Sequence, residues 1–478
     1  MNYSAEELTF IELIQNRRFD PQPRFAYTDW LEERNHSILA AYLRNQTSHL
    51  FLEDGVKIKF DSDSDQASTF SENIQAWDEY LPEIPGVFWQ CDSGWPIAVV
   101  NGESVLQMKK SDRKTIWNQL YPFTNLWIDE LTDNLRDLKD FFSDPFFEQV
   151  NQLRFTNITS GSSIASVLSK SKHIQALRSL DLPNCNLEDD DLKQLTQSPH
   201  LSSLTTLYLR RNRISDSGLF SLANSSQLQN LRELDLGENH ISSLQNLTDW
   251  EGLKNLTKLY LYANSIGDQG IISSGKKGYL QDLKYLHINE NYLGSRFIYD
   301  FVAMCKNVKL LDLHIGDSSI ENDGLVELAK NSLLKHVKRL NLDLNEITEI
   351  GLRDMVSSYK NECPINLHCL NLSSNAIGDE GLSFLLQSDY LNKTNHLILD
   401  RCELTDEGIA MLCQSPKLRN LSRLDLSSNN LSSRSARYLV ESTHLKKLSE
   451  IHLFWIKLSL EAKRLLKNRF SSVLHLDP

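Results

Sequence analysis

Three acidic residues in the segment RFAYTDWLEERN are the first candidates for acid–base chemistry. Paired carboxylates can act as general acid and base when their surroundings separate their pKa values. Here Glu32 and Glu33 are adjacent on a predicted helix, so their side chains point apart. Beside Asp29, the nearby residues that could assist are His36 and Ser37. We interpret the segment as a packed helical seam, with a docking surface as the alternative and catalysis as the least favoured hypothesis.

A second acidic segment, FDSDSDQASTFSE, has part of the spacing of a calcium-binding EF-hand loop. Such a loop has acidic ligands at positions 1, 3, 5 and 12. Acids occupy these four positions here: Asp61, Asp63, Asp65 and Glu72. However, position 6 is Gln66, where the sharp turn requires glycine, and position 8 is Ser68, where an apolar residue normally packs. An acidic solvated linker is the favoured interpretation, and ion binding is the alternative.

The bulk composition restricts the classes of function. The chain has 478 residues, of which 40% are hydrophobic and 24% are charged, as is ordinary for a folded protein. A formal net charge of −13 argues against a broad electrostatic grip on nucleic acid. No apolar run approaches the roughly 18 residues of a membrane helix, and the acidic N-terminus does not resemble a secretory signal. We therefore expect a cytoplasmic protein without a membrane or nucleic-acid partner.

Known chemical motifs are missing from the sequence. The seven cysteines are odd in number and include no C-x-x-C pair, which argues against a disulfide framework or a zinc site. The patterns G-x-x-x-x-G-K-[ST], G-x-G-x-x-G, H-E-x-x-H and G-x-S-x-G do not occur either. We therefore predict a protein that is not an enzyme and that has no cofactor and no metal.

One pattern, L-x-x-L-x-L-x-x-[NC]-x-[LI], recurs at a nearly constant spacing from about residue 177 onwards. Clean copies begin at Leu177, Leu204, Leu231, Leu256, Leu283, Val337, Leu367 and Leu421. Looser copies begin at Val308, Thr394 and Leu448. The two leucines of L-x-L point to one face of a short strand, so stacked copies form a parallel sheet over a continuous core.

Two polar positions accompany each strand. The first is mostly asparagine, whose amide can satisfy backbone groups that the turn leaves unpaired, and Cys185 and Cys402 fill the same position as buried structural residues. The asparagines are Asn212, Asn239, Asn264, Asn291, Asn345, Asn375 and Asn429. The second is expected to cap the helix that follows. Its residues are Asp216, Asp268, Asn322, Asp379 and Asp406.

These features resemble the leucine-rich repeat, and repeats of this length with a full helix resemble its ribonuclease-inhibitor class. The resemblance covers roughly residues 150–470. It implies an α/β solenoid shaped as a horseshoe, with parallel strands on the concave face and helices outside. The copy at Leu231 lacks the D-x-G of the others, so its outer helix is expected to be shorter or displaced. The copy at Val308 has extra residues and should bulge.

The front of the chain also resembles a known family, the small repeat-companion domain of planctomycete bacteria. Its core reads much like R-x-x-Y-A-D-W-L-E-E-R-G, and the resemblance covers residues 4–46. The matching residues are Arg24, Tyr27, Asp29, Trp30, Leu31, Glu32, Glu33 and Arg34, whereas Thr28 and Asn35 differ. The resemblance implies a small helical domain ahead of leucine-rich repeats in a bacterial protein, without established chemistry. We expect Tyr27 and Trp30 to be buried, Asp29 to cap the next helix and Arg34 to pair with an acid.

The sequence predicts four segments. They are a helical companion domain at 1–50, an acidic linker at 51–79, a cap with degenerate repeats at 80–150, and the repeats with a capping helix at 151–470. In the third segment, Trp89, Trp95, Trp117 and Trp127 are expected to pack in the cap. At the end of the chain, Phe454 and Trp455 are expected to pack under the terminal helix, with a binding site at the rim as the alternative.

An array of this kind without catalytic motifs is predicted, by analogy of fold, to be a protein-interaction scaffold. Outward strand positions have no packing role in this interpretation, and tyrosine and arginine dominate interface hot spots, although tyrosine also simply suits strands. The predicted partner-binding residues on the concave face are Tyr208, Arg210, Arg211, Glu233, Tyr260, Tyr262, Tyr285 and His287. The alternative is a regulator of a GTPase, since some arrays of this class resemble the Ran GTPase-activating proteins.

Overall fold

The chain divides into two compact units, Met1–Asp235 and Leu236–Pro478. The computed structural model describes residues 4–16, 22–34, 36, 39–41, 43–44, 77, 81–84, 86–92, 95–120, 123–131, 135–158, 161–246, 255–268, 270, 282–305, 308–330, 332–358, 367–470 and 474–476. The segment 61–72 of the calcium hypothesis and most of the predicted linker at 51–79 lie outside these residues.

The first unit begins with two packed helices, α1 (Ala5–Asn16) and α2 (Gln22–Glu33). Three rings join them, since the centroids of Phe10, Tyr27 and Trp30 lie between 5.8 and 6.1 Å apart. Tyr27 is buried, and the same apolar cluster extends beyond the two helices. Its other buried members are Ile11, Ile14, Leu31, Leu39, Ala40, Leu43, Trp77, Leu81 and Phe123.

The segment RFAYTDWLEERN forms a seam between α1 and α2. The hydroxyl of Tyr27 donates a hydrogen bond to Glu7 Oε1 at 3.1 Å. Arg34 pairs with Glu6 at 2.8 Å, and its guanidinium lies 4.1 Å from the centre of the Trp30 ring. The pairing of Arg34 with an acid is therefore confirmed, and the aromatic residues of the segment hold the two helices together.

The acidic residues of this segment are used in surface ion pairs. Asp29 and Glu32 both contact the guanidinium of Arg44, and Glu33 is exposed. The expectation that Asp29 caps the next helix is wrong, because Asp29 lies inside α2 and its carboxylate is taken by Arg44. Exposed carboxylates in such pairs stay hydrated. Acid–base catalysis by two carboxyl groups requires one of them to be buried and the other exposed, and this arrangement does not provide that difference.

The strands of the first unit pair in chain order, as an antiparallel hairpin followed by parallel neighbours. They are β1 (Val87–Asp92), β2 (Trp95–Asn101), β3 (Asn125–Asp129), β4 (Gln152–Thr156), β5 (Ser179–Asp181), β6 (Thr206–Tyr208) and β7 (Glu233–Asp235). Helices follow most strands. They are α3 (Gly102–Gln107), α4 (Lys110–Leu120), α5 (Leu135–Phe141), α6 (Gly161–Leu168), α7 (Asp189–Thr196) and α8 (Asp216–Ala223).

The tryptophans near this hairpin have different environments. Trp117 is 2% exposed and stacks on Phe146 with ring centroids 4.4 Å apart, as expected for a cap core. Trp127 does not pack in that core. It points outward from β3, because Leu126 and Ile128 occupy the inward positions, and the guanidinium of Arg154 lies 4.5 Å from its ring.

The second unit repeats one strand and, in most repeats, one helix. Its parallel strands are β8 (Lys258–Tyr260), β9 (Tyr285–His287), β10 (Asp312–His314), β11 (Arg339–Asn341), β12 (Cys369–Asn371), β13 (His396–Ile398), β14 (Arg423–Asp425), β15 (Glu450–Leu453) and β16 (Leu474–Leu476). Its helices are α9 (Gly294–Met304), α10 (Glu321–Lys330), α11 (Glu349–Ser358), α12 (Gly378–Gln387), α13 (Asp406–Gln414), α14 (Ser433–Glu441) and α15 (Leu460–Phe470).

The middle residue of each strand faces the core. From β8 to β10 these residues are Leu259, Leu286 and Leu313, which are at most 3% exposed. Burial of one such side chain contributes about 1.5–3 kcal/mol to the stability of the folded chain. Because the same leucine contact recurs in each strand, it also keeps neighbouring strands in register. The first and third residues of each strand point to the opposite side.

A column of asparagines ties each repeat to the one before it. Asn375 shows the pattern, since its Oδ1 accepts hydrogen bonds from the backbone N–H groups of Asn345 and Ile347 at 3.0 and 2.9 Å. Its Nδ2 donates to the carbonyl groups of Leu342 and Leu372 at 2.8 and 3.0 Å. The predicted structural role of these asparagines is confirmed. Cys402 in the same position is buried and its thiol donates to backbone carbonyls.

The acids that start the helices do not cap them as expected. In α13 the N-cap is Thr405, whose hydroxyl accepts from Glu407 N, and Asp406 is the first helical residue. Because the threonine already serves as the cap, the Asp406 carboxylate is available to the next repeat, where it accepts a hydrogen bond from Ser432 N at 3.0 Å. The equivalent residues Asp189, Asp268, Asn322 and Asp379 also accept backbone hydrogen bonds from the following repeat.

Of the two repeats that the sequence predicts to depart from the pattern, one differs in its described residues and the other does not. In the copy that begins at Leu231, residues 241–246 form no α-helix, and the next residues lie outside the described part of the chain. The expectation that the copy at Val308 bulges is wrong, because β10 pairs in register with both neighbouring strands, and positive φ angles like those of Asp317 and Ser319 recur at Leu344 and Glu346 in the next repeat.

The terminal helix α15 buries Ala462, Leu466 and Phe470 at the end of the array. The expectation that Trp455 packs beneath this helix is wrong, because its side chain is 77% exposed. A φ of 57° at this residue places it in a left-handed turn after β15. Phe454 instead contacts the ring of His452, with centroids 5.6 Å apart.

Candidate binding surface on the outward strand face

Outward side chains of β8–β16 form two rows, which together we call the outward face. Parallel pairing in register places equivalent residues side by side, about 5 Å apart per strand. The first row is Lys258, Tyr285, Asp312, Arg339, Cys369, His396, Arg423 and Glu450. The second row is Tyr260, His287, His314, Asn341, Asn371, Ile398, Asp425, His452 and His475.

Four of the predicted partner-binding residues lie in the first unit. Arg211 is exposed with a φ of 58°, and Arg210 and Tyr208 are half-buried. The Tyr208 hydroxyl donates a hydrogen bond to Glu233. Glu233 is only 3% exposed, so the expectation that every outward strand position is accessible is wrong here. The ring of Tyr208 on the preceding strand covers this carboxylate.

Of the other four, Tyr260, Tyr285 and His287 lie on the outward face of the second unit, and Tyr262 follows two residues after the end of β8. The rings of Tyr260 and His287 meet edge to face with centroids 4.8 Å apart, and both side chains are half-buried. Tyr262 is also half-buried, and Gly237 gives it room, since a Cβ at that glycine would stand 2.4 Å from the tyrosine ring. The expectation of an accessible side chain is also wrong at Tyr285, which is 7% exposed and has Lys258 Nζ 5.3 Å from its ring centre.

Sequence analysis missed Asp312, His314 and Arg339, which lie beside His287 on β9–β11. The imidazole rings of His287 and His314 stack with centroids 3.8 Å apart and an interplanar angle of 7°. His314 Nε2 lies 3.0 Å from Asp312 Oδ1, and His287 Nε2 lies 3.5 Å from Asp312 Oδ2. Arg339 Nε donates to Asp312 Oδ2 at 3.0 Å. The sequence does contain a signal, because the strands YLH and DLH place two histidines at the same position of successive repeats.

The surroundings of this group control its protonation. Burial raises the pKa of Asp312, but the adjacent rings of His287 and His314 outweigh that effect and hold the pKa well below its usual range. Burial lowers the pKa of His287 to about 4, and the nearby His314 contributes in the same direction. The carboxylate is therefore ionised and the ring of His287 is neutral at pH 7.

An acidic rim borders the outward face at the carboxyl ends of the strands. We define it as Glu238, Glu290, Asp317 and Asp343. Burial raises the pKa of Glu290, and the charges of the other three residues raise it further. Burial also raises the pKa of Asp343, with a contribution from Asp317. The rim is therefore a region of mutual repulsion between carboxylates, which an approaching cation would relieve.

A second group of histidines and carboxylates lies near the end of the array. His452 Nε2 is 3.0 Å from Glu450 Oε1, and its ring centroid is 4.5 Å from that of His475. Glu450 is also paired with Arg423 at 2.9 Å. This group is more exposed than the one around Asp312.

Comparison with known families identifies the repeats. The family described as "Leucine Rich repeats (2 copies)" matches residues 202–249 and 229–274, and "Leucine Rich repeat" matches residues 364–386 and 417–440. These matches coincide with the repeated strands, and the chain therefore contains leucine-rich repeats in an α/β fold with a parallel sheet. Such repeats commonly act as protein-interaction modules.

Solved structures with similar folds share little sequence with this chain. An internalin from Listeria monocytogenes is 18% identical, covers 67% of this chain and 94% of its own, and has a TM-score of 0.37. The structure of the Rad7 and Elc1 complex in yeast is 13% identical, with coverage of 100% and 98% and a TM-score of 0.47. The TLR13–ssRNA13 complex is 16% identical, with coverage of 72% and 57% and a TM-score of 0.37. A comparison with curated proteins gave no match.

A membrane-spanning segment is not found in the described residues. None of their helices combines the length and the apolar character that are needed to cross a bilayer.

Proposed function

We propose that this protein is a non-enzymatic scaffold that binds a protein partner on its strand face, which the sequence predicts to be concave. The observation that carries the proposal is the set of half-buried aromatic side chains formed by Tyr260 and His287 on the adjacent strands β8 and β9 and by Tyr262, two residues after β8. Their rings are partly fixed by each other, so little conformational entropy is lost when a partner covers them. Aromatic anchors of this kind dominate the binding energy of many interfaces.

The acidic rim supports a partner with cationic groups. Glu290 is exposed and lies beside the aromatic residues of the outward face. Lysine or arginine side chains from a partner would reduce the repulsion within the rim and would accelerate association. We therefore propose that the partner presents a basic rim around an apolar or aromatic centre.

The first unit carries a separate group of predicted partner-binding residues. Arg211 and Arg210 supply guanidinium groups, and Tyr208 supplies a ring whose hydroxyl is held by Glu233. In this proposal Glu233 and Tyr285 position their neighbours and do not contact the partner, because both are almost inaccessible.

Other predictions from the sequence remain part of the proposal. The ribonuclease-inhibitor-like subclass is supported by the helix that follows each of the strands β9–β14. The companion domain at 1–50 is supported by the helical seam around Tyr27 and Trp30. A bacterial source, a cytoplasmic location and the absence of a nucleic-acid partner are further expectations.

The proposal is tested by quantitative affinity capture with the full chain and two variants. The first variant, Tyr260→Ala/Tyr262→Ala, removes two aromatic anchors. We expect it to capture at least about tenfold less partner than the wild type does, because hot-spot residues supply most of the binding energy. The matched control is Tyr299→Ala on α9, whose ring is 49% exposed outside the outward face. Circular dichroism and thermal unfolding establish that both variants are folded.

Two further results distinguish binding on the strand face from binding on the helical side. A Glu290→Lys variant should weaken capture of the same partner, and added salt should weaken capture by the wild type. If the strand-face variant retains every partner while Tyr299→Ala loses one, the binding site lies on the helical side and the proposal is wrong.

A further inference from the structure

We propose that His287, Asp312 and His314 form a binding site for one divalent transition-metal ion of the Zn²⁺ type. The three residues belong to the adjacent strands β9 and β10, and each offers one ligand atom. These atoms all lie within 4.8 Å of one another. The inference does not depend on the existence of a protein partner.

The spacing of the ligand atoms fits a shared ion. Zinc binds imidazole nitrogen and carboxylate oxygen at about 2.0–2.2 Å, which separates neighbouring ligands of a tetrahedron by roughly 3.3 Å. In this structure His314 Nε2 lies 3.0 Å from Asp312 Oδ1, and His287 Nε2 lies 3.5 Å from Asp312 Oδ2. Since all three ligand atoms lie within 4.8 Å of one another, side-chain rotation would bring the two nitrogens and one oxygen to a common ion.

Two of the ligand atoms lack satisfactory hydrogen bonds. Asp312 Oδ1 and His287 Nε2 are buried, and neither has a hydrogen bond of good geometry within the described residues. A buried polar atom without a partner costs about 1–3 kcal/mol, so an ion that accepts both lone pairs would remove that cost. The two histidines contact Asp312 closely but with poor hydrogen-bond geometry, which favours an ion as the ligand that the three side chains share.

The remaining contacts orient the ligands as supporting residues do in metal sites. Arg339 holds Asp312 Oδ2 through its Nε at 3.0 Å, which fixes the carboxylate and leaves Oδ1 for the ion. The positive charge of Arg339 opposes cation binding, whereas the carboxylates of the acidic rim favour it. Asp343 of the rim lies near enough to His314 for the two side chains to interact electrostatically.

Access and donor types indicate the class of ion. Asp312 is fully buried, but the side chains of His287 and His314 are 22% and 21% exposed, so the group lies at the surface of the outward face. Two imidazoles and one carboxylate suit Zn²⁺ and related ions rather than Ca²⁺ or Mg²⁺, which prefer oxygen ligands alone. Three protein ligands leave a further coordination position for water or for an external donor.

The test is titration of the purified, metal-free full chain with Co²⁺ and then Zn²⁺. We expect Co²⁺ to produce visible absorption bands of nitrogen and oxygen coordination, and Zn²⁺ to displace one equivalent of Co²⁺. The variant His287→Gln/His314→Gln should bind one ion fewer than the wild type. The control His240→Gln changes an exposed histidine of the same unit and should bind as the wild type does.

Stability and local structure provide readouts that do not depend on stoichiometry. An ion bound to the folded state alone should raise the Tm of the wild type and of His240→Gln, but not that of the double variant. X-ray absorption of the wild-type zinc complex should show two imidazole ligands, and this result stands even if the double variant does not fold. The proposal is overturned if the wild type binds no ion, or if the folded double variant binds as many ions with equal affinity.

Discussion

His396 occupies the first position of β13, between Cys369 and Arg423 in the first row of the outward face. Burial lowers the pKa of this histidine to about 4, and the positive charge of Arg423 contributes in the same direction. Glu450 opposes the shift and His452 supports it. Since an unfolded histidine titrates near 6.5, the unfolded chain binds this proton at a higher pH than the folded chain does.

This difference predicts acid sensitivity at one residue. The folded pKa is the lower one, so the free energy of unfolding is unaffected above about pH 6.5 and falls as the pH decreases from 6.5 towards 4. His396→Gln removes the titration and should reduce the loss of stability between about pH 7 and pH 5 by about 1–2 kcal/mol. Urea unfolding at the two pH values measures the difference.

The control for this prediction is the exposed His240, for which the substitution His240→Gln should leave the pH dependence unchanged. If the free energy of unfolding falls equally between the two pH values in the wild type and in His396→Gln, the burial of this histidine does not control acid stability.

At the scale of the element, the first residue of a repeat helix also stabilises the following helix. Asp406 accepts hydrogen bonds from the N–H groups of Ser432 and Ser435 at 3.0 and 3.1 Å, where α14 begins. Burial raises the pKa of Asp406, but hydrogen bonds from the hydroxyls of Ser432 and Ser435, together with those from their N–H groups, lower it by more. The carboxylate of Asp406 is thus part of α13, and it accepts hydrogen bonds from backbone N–H groups at the start of α14 that would otherwise lack a partner.

Replacement of this carboxylate should affect two helices. We expect Asp406→Ala to lower the free energy of unfolding by about 2–4 kcal/mol, because hydrogen bonds to a charged group are lost and buried donors remain unpaired. The matched control is Asp323→Ala, which removes an exposed first-turn acid of α10 and should cost about 0.3–1 kcal/mol. Chemical denaturation compares the two variants, and equal losses would show that Asp406 acts only through its own helix.

At the scale of the whole molecule, each repeat contacts chiefly its neighbours, so the end of the array depends on its last helix. Leu466 on α15 is fully buried, whereas Leu460 on the same helix is 77% exposed. Stability in such arrays is a sum of local terms, and damage at the end should therefore spread inward only gradually.

The variant Leu466→Ala should lose about 2–5 kcal/mol locally, as expected for a cavity in a core. Hydrogen exchange should become faster in β14 and β15 while β8–β10 keep their protection. Leu460→Ala should leave exchange unchanged. A uniform acceleration throughout the second unit would contradict the local character of the stability.

The sequence predicts some features of this molecule much better than others. The repeat spacing locates the strands, and the asparagine position predicts contacts such as those of Asn375, because both follow from one chain segment and its neighbour. Accessibility at Tyr285 and Glu233 was not predictable in the same way, since it depends on the particular side chains that the adjacent repeats place over them. The sequence carries a signal for the two histidines near Asp312, which recur at one strand position of successive repeats, but the burial of Asp312 depends on the side chains around it.

The row arrangement of the outward face makes its proposed sites discontinuous epitopes. His287 and His314 touch across a strand boundary, although they belong to different repeats of the chain. A synthetic peptide copied from any one short stretch of this protein would therefore contain only a fraction of such a site. Peptide competitors and antibodies raised against short linear segments should fail to reproduce or block recognition, whereas antibodies selected on the intact array could do both.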